Sequence, residues 1–152
     1  MSEPVFRRAE QSDLEAIVAM LADDVLGRQR EDTRLPAADT YVQAFQAIDA
    51  DPNQFLAVAE LDGAVVGTLQ ISFMPGLSHQ GAWRGEIEAV RIARTARGTG
   101  LGRRMMEWAI EQCRARNCRI VQLTSDLKRT DAHRFYEQMG FVGSHKGYKL
   151  VL

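Results

Sequence analysis

The sequence predicts one α/β domain over residues 1–152, and three observations lead to this class. Runs with strand-like alternation of apolar residues take turns with runs of helical periodicity. An Asp-Gly pair at positions 62 and 63 separates two β-rich runs, which is typical of an antiparallel hairpin. A glycine-rich segment then stands between a strand and a helix. With 45% apolar and 26% charged residues the composition is that of a folded globular domain, which excludes disorder as its main state.

The first half of the chain predicts two helices and three strands. Ser12 or Asp13 caps the first helix, because apolar residues recur at helical spacing from Leu14 to Val25. The polar segment 27–36 has no periodicity and predicts a loop. The predicted strands are Val5–Arg8, 55–61 and Ala64–Met74, and the second helix covers 38–50.

The second half predicts a strand at 86–93, where residues alternate between two faces. A helix follows from the glycine-rich turn to about residue 116, with its buried stripe at Leu101, Met105, Ala109, Ile110 and Cys113. Further predicted elements are a strand at 119–124, a helix at 130–139 that Gly140 ends, and closing strands at 141–142 and 148–151.

Charge is distributed unevenly along the chain. Residues 1–63 carry 5 basic and 13 acidic side chains, whereas residues 84–119 carry 9 arginines and 4 glutamates. A basic middle suggests a site for a polyanion, although a solvated charged surface explains the count equally well. A pI of 6.3 argues against nucleic acid.

Other classes of protein are disfavoured by simple counts. No run approaches the ~18 apolar residues of a membrane span, and the first residues lack the pattern of a signal peptide, so we expect a cytoplasmic protein that does not bind membranes. Two cysteines and three scattered histidines provide neither a disulfide framework nor zinc-finger spacing, so no metal site is expected.

The segment 97–102, with three glycines among Arg97-Gly98-Thr99-Gly100-Leu101-Gly102, predicts an anion site. The first N–H groups of a helix have no partner within the helix, and glycines let a phosphate approach them closely. A nucleotide P-loop is excluded because no lysine follows, and the dinucleotide fingerprint fails because Arg103 stands where its last glycine should be. A tight turn that binds nothing is the alternative.

Two motifs together resemble the GCN5-related N-acetyltransferase (GNAT) family. Arg97-x-x-Gly100-x-Gly102 matches the family's [QR]-x-x-G-x-[GA] segment, and residues 132–141, AHRFYEQMGF, match its A-x-x-[FL]-Y-E-x-x-G-F segment. The resemblance covers nearly the whole chain. It implies a mixed, mostly antiparallel twisted sheet of about six to seven strands, flanked by about four helices.

The resemblance also implies a cosubstrate, acetyl-CoA, whose pyrophosphate lies on the glycine-rich turn. Val90 and Ile92 would bind it through their main chain, and the Val90 N–H would stabilise the oxyanion. The expected cofactor-binding residues are Val90, Arg91, Ile92, Arg97, Gly98, Thr99, Gly100, Leu101, Gly102 and Arg103. One departure is Arg129, which stands where the family often has an asparagine that contacts the cofactor.

Three catalytic residues are expected. Tyr136 falls on the family's tyrosine and would protonate the departing thiolate, unless it is only part of the buried stripe of its helix. Glu86 and Glu88 are two residues apart on one strand, so both carboxylates project to one face and either could accept the proton of the amine. The alternative for the glutamates is ion pairing with Arg84 or Arg91. His133 is a weaker candidate for the base.

The expected activity is transfer of the acetyl group from acetyl-CoA to a primary amine of a small molecule by direct attack. An acyl-CoA-binding regulatory module without turnover and a protein-lysine acetyltransferase are the alternatives. A homodimer is possible, since dimers are common in the family.

Overall fold

The computed structural model describes residues 2–152. Its core is a 5-stranded sheet in the order β1-β2-β3-β4-β5. Strands β1 to β4 are antiparallel to their neighbours, and β5 runs parallel to β4. The strands are β1 (Val5–Arg8), β2 (Gln54–Leu61), β3 (Ala64–Met74), β4 (Arg84–Ile92) and β5 (Ile120–Gln122). The helices are α1 (Leu14–Ala22), α2 (Asp39–Ala50), the single turn α3 (Ser78–Gly81), α4 (Leu101–Ala115) and α5 (Thr130–Gln138).

Each face of the sheet carries helices, because both faces of its central strands are apolar. On one face, Leu69 and Ile71 of β3 pack with Met105 and Ala109 of α4, and all four are fully buried. On the other face, Val58 of β2 is covered by residues of α1 and α2. Because both faces are buried, the sequences of β2 and β3 are continuously apolar at their centres.

Most predicted elements form near their expected bounds. The hairpin turn is the predicted one, with φ of 51° at Asp62 and 80° at Gly63, both in the left-handed region that such turns require. Asp13, expected as a possible cap, is buried: it accepts hydrogen bonds from the Glu10 N–H and, at 2.8 Å, from Arg7 Nη1. No helix within residues 2–152 is long and apolar enough to cross a membrane.

The closing strands predicted at 141–142 and 148–151 are wrong, so the sheet has five strands rather than six or seven. The alternation that predicted a strand at 148–151 is present, but no neighbouring strand within residues 2–152 pairs with it. Val142 and Tyr148 are exposed. A strand needs a hydrogen-bonding neighbour as well as a suitable sequence, and the sequence pattern reports only the latter.

Candidate active site

Strands β4 and β5, the last two in the sheet, separate after a short pairing. They pair only between residues 84–86 and 120–122. Beyond this point the edge of β4 that faced β5 is open. The Ala93 N–H donates to the Val66 carbonyl at the β3 side. Since successive N–H groups of a strand alternate in direction, those of Ile92 and Val90 point into the gap, where a ligand can accept them.

A β-bulge at Ala89 changes which residues share a face. Glu88 pairs with Gln70 and Arg91 pairs with Thr68, so two residues of β4 lie opposite Leu69 alone. Ala89 has a φ of 53°, in the left-handed region, as bulged residues often do. The bulge brings Arg91 to the same face as Glu88, although an unbroken strand would place residues three apart on opposite faces.

Glu86 and Glu88 lie on the same face of β4, as predicted from their spacing. Neither forms an ion pair with Arg84 or Arg91 anywhere in residues 2–152, so the alternative of a structural ion pair is wrong. Incomplete solvation of the Glu88 carboxylate, followed by the negative charge of Glu86, raises the pKa of Glu88 above its ordinary value, with Lys149 opposing the shift. A carboxylate with a raised pKa is a better match to a proton acceptor near neutral pH.

Three side chains beyond the bulge form what we call the arginine cluster: Arg91, Asp24 and Arg129. Asp24 Oδ2 lies 2.8 Å from Arg129 Nη2 and 3.7 Å from Arg91 Nη2. Partial burial alone would raise the pKa of Asp24, but the Gly27 N–H and the two guanidinium groups outweigh it and lower this pKa. Two positive charges therefore share one negative charge.

Arg91 is the most enclosed member of the arginine cluster, with 14% of its side chain exposed. Its Nε is buried and has no hydrogen-bond partner in the part of the chain that the structure describes. Burial, and then repulsion from Arg129, lowers its pKa, although an arginine stays charged at neutral pH. A buried donor without a partner is costly to the folded state.

Tyr136 lies on α5 and reaches the same region. Its ring packs edge-on against Phe135 and Phe141, with centroids 5.3 and 5.9 Å away. Its hydroxyl forms no hydrogen bond with another of residues 2–152. Burial raises its pKa, and the positive charges of Arg91 and Arg129 oppose this effect. The phenol therefore stays protonated at neutral pH with its proton available to a ligand.

The glycine-rich turn adopts the conformation expected of an anion site. Gly98 and Gly100 have φ of 76° and 84°, and Gly100 is the N-cap of α4. No side chain caps this helix, so the first N–H groups of α4 are available. A Cβ at Gly100 would have no atom within 4 Å, so its neighbourhood is open.

A side chain at Gly102 would face the protein interior. A Cβ there would lie 3.5 Å from Ile92 Cγ1 and 4.0 Å from Phe135 Cζ, toward the protein and not toward the anion site. A Cβ at this position would therefore make ordinary van der Waals contacts with β4 and α5.

The other predicted residues of the turn face in several directions. Leu101 is buried in the core, and the Thr99 hydroxyl donates to the Ala96 carbonyl at 2.6 Å. Arg97 donates to the Ile92 carbonyl and lies 3.4 Å from Asp23, whereas Arg103 pairs with Glu107. The side chains of these residues are thus engaged within the protein, and what they offer a ligand is mainly their backbone.

His133 and Arg129 each make a contact within the protein. His133 Nε2 lies 2.8 Å from the Asp126 carbonyl oxygen, and this contact ties α5 to the preceding loop. Arg129 forms an ion pair with Asp24. Sequence reasoning missed the arginine cluster, because its members come from separate segments and no spacing connects them.

Comparisons with known proteins agree with this geometry. The model of the acetyltransferase (GNAT) family matches residues 20–141. An aminoalkylphosphonate N-acetyltransferase of Salmonella typhimurium is 35% identical over 66% of this chain and 65% of its own length. A glucosamine 6-phosphate N-acetyltransferase of Trypanosoma brucei brucei is 31% identical over 59% of each chain. The match to the Salmonella protein thus spans less than two thirds of that relative.

A solved structure covers nearly the whole chain. The crystal structure of a protein from Bacillus halodurans C-125, described as a transcriptional regulator, is 48% identical and superposes with a TM-score of 0.96 over 99% of this chain and 100% of that one. The fold class predicted from the sequence is confirmed, and so is the predicted family. The chain belongs to the acetyltransferase (GNAT) family.

Proposed function

We propose that this protein is an acetyl-CoA-dependent N-acetyltransferase that acetylates a primary amine of a small molecule. The observation that carries the proposal is the meeting of three features at the gap between β4 and β5. These are the uncapped N-terminus of α4, the inward N–H groups of Val90 and Ile92, and the unbonded hydroxyl of Tyr136. Acetyl-CoA supplies the activated acyl group.

The residues suit a diphosphate followed by a thioester. The N–H groups at the start of α4, together with the helix dipole, favour the negative charge of the diphosphate. Gly98 and Gly100 leave the approach open because neither has a Cβ. From there the gap leads along β4, where the backbone of Ile92 and Val90 can hydrogen-bond the rest of the chain of the cosubstrate.

Proton removal, oxyanion stabilisation and protonation of the leaving group can each be assigned to a residue. Glu88 accepts the proton of the ammonium group, either directly or through water, and Glu86 is the alternative base. The Val90 N–H donates to the carbonyl oxygen as negative charge develops, and losing one such donor costs about 10²–10³ in rate in other enzymes. Tyr136, which its raised pKa keeps protonated at neutral pH, gives its proton to the departing sulfur.

We further propose that the acceptor amine carries an anionic group, bound by the arginine cluster. Two guanidinium groups share one carboxylate there, which leaves an excess of positive charge. The relatives from Salmonella and Trypanosoma are named for acceptors with a phosphonate and a phosphate, which agrees with a cationic acceptor site. The bulge puts Arg91 of this cluster on the same face of β4 as Glu88, two positions apart along β3.

A coupled assay of thiol release tests both proposals. Wild-type protein should release CoA from acetyl-CoA only when an amine is present, and 2-aminoethylphosphonate should exceed ethanolamine in kcat/KM by about 10–100-fold, as expected for charge-assisted hydrogen bonds. Arg129→Gln should reduce that ratio, whereas Arg134→Gln, a change of an exposed arginine on α5, should not. Equal rates for both amines would contradict the anionic acceptor.

A regulatory module that binds acyl-CoA without turnover is the second candidate, favoured by the description of the Bacillus structure as a transcriptional regulator. It predicts tight binding of acetyl-CoA with no amine-dependent thiol release across phosphonates, polyamines, amino acids and aminoglycosides. Transfer to lysines of a partner protein is distinguished by mass spectrometry of co-incubated lysates, in which small-molecule transfer leaves those lysines unmodified.

A further inference from the structure

The two cysteines of the chain meet at the C-terminal end of α4. The Cys118 N–H donates to the Cys113 carbonyl at 3.0 Å. The Asn117 N–H donates to the Arg114 carbonyl at 2.9 Å, and Asn117 has a φ of 60°. These two bonds and the left-handed residue define a Schellman motif, in which the side chains of the two outer residues usually touch. The outer residues of this motif are Cys113 and Cys118.

Both sulfur atoms lie beside the same point of β4. A Cβ at Gly85 would overlap Cys113 Sγ and would lie 3.9 Å from Cys118 Sγ. The missing side chain of Gly85 therefore provides the space that the two sulfurs share. Burial, and then the nearness of Cys118, raises the pKa of Cys113. Both cysteines are free thiols in this structure.

This arrangement meets the requirements of a disulfide. Such a bond needs two backbones held at short range and two side chains that point toward each other. The hydrogen bond from the Cys118 N–H to the Cys113 carbonyl meets the first requirement. The shared position beside Gly85 meets the second. The two sulfurs can therefore be joined while α4 keeps its place against the sheet.

The two thiols differ in exposure, which gives them different parts in such a reaction. Cys113 is fully buried, whereas Cys118 is half-buried and lies between the exposed Asn117 and Arg119. Burial raises the pKa of Cys118, and the positive charge of Arg116 opposes this rise. Only the thiolate form attacks a disulfide, and the attacking sulfur must be accessible. Cys118 is therefore the thiol that reacts first.

Positive charge surrounds Cys118 at the surface. Arg116 donates to the Pro52 carbonyl and Arg119 to the His79 carbonyl, and neither guanidinium forms an ion pair with a carboxylate of residues 2–152. Their charges are thus not neutralised nearby. An excess of one charge at a surface raises the local concentration of small molecules of the opposite charge. An anionic reagent is therefore favoured at this thiol.

We propose that Cys113 and Cys118 form a dithiol site that small anionic disulfides oxidise to an intramolecular disulfide. The Cys118 thiolate attacks one sulfur of the small disulfide, which releases one thiolate and leaves a mixed disulfide on Cys118. Cys113 then attacks Cys118 Sγ, so that the second small thiolate departs and the S–S bond of the protein forms. The protein loses two electrons, the small disulfide gains them, and the two thiol protons pass to the departing thiolates.

The site lies where β4 and β5 are still paired. Gly85 pairs with Val121, next to the last pair before the two strands part. The new bond would join the end of α4 to the segment that leads into β5. The proposal does not depend on the proposed acetyl transfer, because it is tested by the state of the thiols and not by turnover.

Mass spectrometry of the folded wild-type protein under non-reducing conditions tests the site, with glutathione disulfide as the oxidant. The product should be lighter than the starting protein by two hydrogens, should carry no glutathione, and should yield a peptide in which Cys113 and Cys118 are joined. Dithiothreitol should restore both thiols. Two thiols that stay free, a retained glutathione, or a bond between two copies of the chain would overturn the proposal.

Two single variants separate the parts of the two cysteines, and the chain has no third cysteine to interfere. Cys113→Ala should retain one glutathione on Cys118, because the second attack is lost. Cys118→Ala should stay unmodified, because Cys113 is buried. The reverse pattern would contradict the order of the two attacks. Rising salt should slow the oxidation of the wild type by screening the arginines, and a rate independent of salt would refute the preference for anions.

Thermal unfolding of the oxidised wild type shows whether the bond fits the fold. A disulfide that closes so short a loop without strain should raise Tm by about 4–8 °C. The same protein after treatment with dithiothreitol is the control and should return to the original Tm. An oxidised form with a lower Tm than the reduced one would show that the fold must distort to make the bond, which would overturn the proposed geometry.

Discussion

Replacement of Gly100 by valine separates the binding role of the glycine-rich turn from its role in folding. Gly100 has a φ of 84°, and a Cβ there would meet no protein atom within 4 Å. The added side chain therefore strains the backbone without a clash inside the protein, and it projects into the open space that the proposed diphosphate would use.

The chain offers a matched control at Gly63, in the hairpin turn, with φ of 80° and no atom within 4 Å of its Cβ position. A side chain in the left-handed region costs about 1–2 kcal/mol, so both variants should lose about 2–8 °C in Tm. Loss of one hydrogen bond between a phosphate and an N–H group costs about 1.5–3 kcal/mol, so Gly100→Val should weaken binding about 10–100-fold.

Calorimetric titration with CoA and thermal unfolding give both quantities for both variants. We expect similar Tm losses in the two, weakened CoA binding for Gly100→Val, and wild-type CoA binding for Gly63→Val. Equal CoA affinity in the two variants would refute the assignment of the turn as the diphosphate site, whatever their stabilities.

Three further predictions concern catalysis and stability. Tyr136→Phe should lower kcat about 100-fold with little change in CoA affinity, because it removes one proton and no packing, and an unchanged kcat would exclude the acid role. In the wild type, kcat/KM should fall at acidic pH, and this fall should begin at a higher pH than for an ordinary glutamate because the pKa of Glu88 is raised. Glu88→Gln should abolish the fall. If Glu86→Gln abolishes it instead, Glu86 is the base. Asp13→Ala should lower the free energy of unfolding at neutral pH by about 1–3 kcal/mol, because it breaks the pair with Arg7. Hydrogen bonds from Arg7 lower the pKa of Asp13 in the folded protein. The pair therefore contributes its full stabilisation at pH values above the ordinary pKa of 3.8, and this stabilisation is lost as the pH falls through the lowered pKa. Urea titrations that show equal stability of the variant and the wild type at neutral pH would contradict the prediction.

The parts of the fold that local patterns encode could be predicted from the sequence. The hairpin follows from an Asp-Gly pair between β-rich runs, and α4 follows from glycines before a helical stripe. The two glutamates share a face because alternation along a strand is a local property. Each of these features depends on residues close together in the sequence.

The features that sequence reasoning missed depend on contacts between distant segments. The bulge at Ala89 has no sequence signal, since alanine rarely takes a positive φ, and it is fixed by the pairing of its neighbours with β3. It alone brings Arg91 beside Glu88. The pairing of Arg91 and Arg129 with Asp24 joins three separate segments. The closing strands predicted at 141–142 and 148–151 fail for a related reason, because alternation in the sequence does not report whether a neighbouring strand pairs with them.

The most direct test of the central claim is a crystal structure of this protein with acetyl-CoA. The account predicts diphosphate oxygens at about 3 Å from backbone nitrogens in the first turn of α4, with the acetyl carbonyl oxygen at the Val90 N–H and the sulfur beside the Tyr136 hydroxyl. Acetyl-CoA bound with its diphosphate away from the glycine-rich turn, or with its thioester outside the gap between β4 and β5, would contradict it.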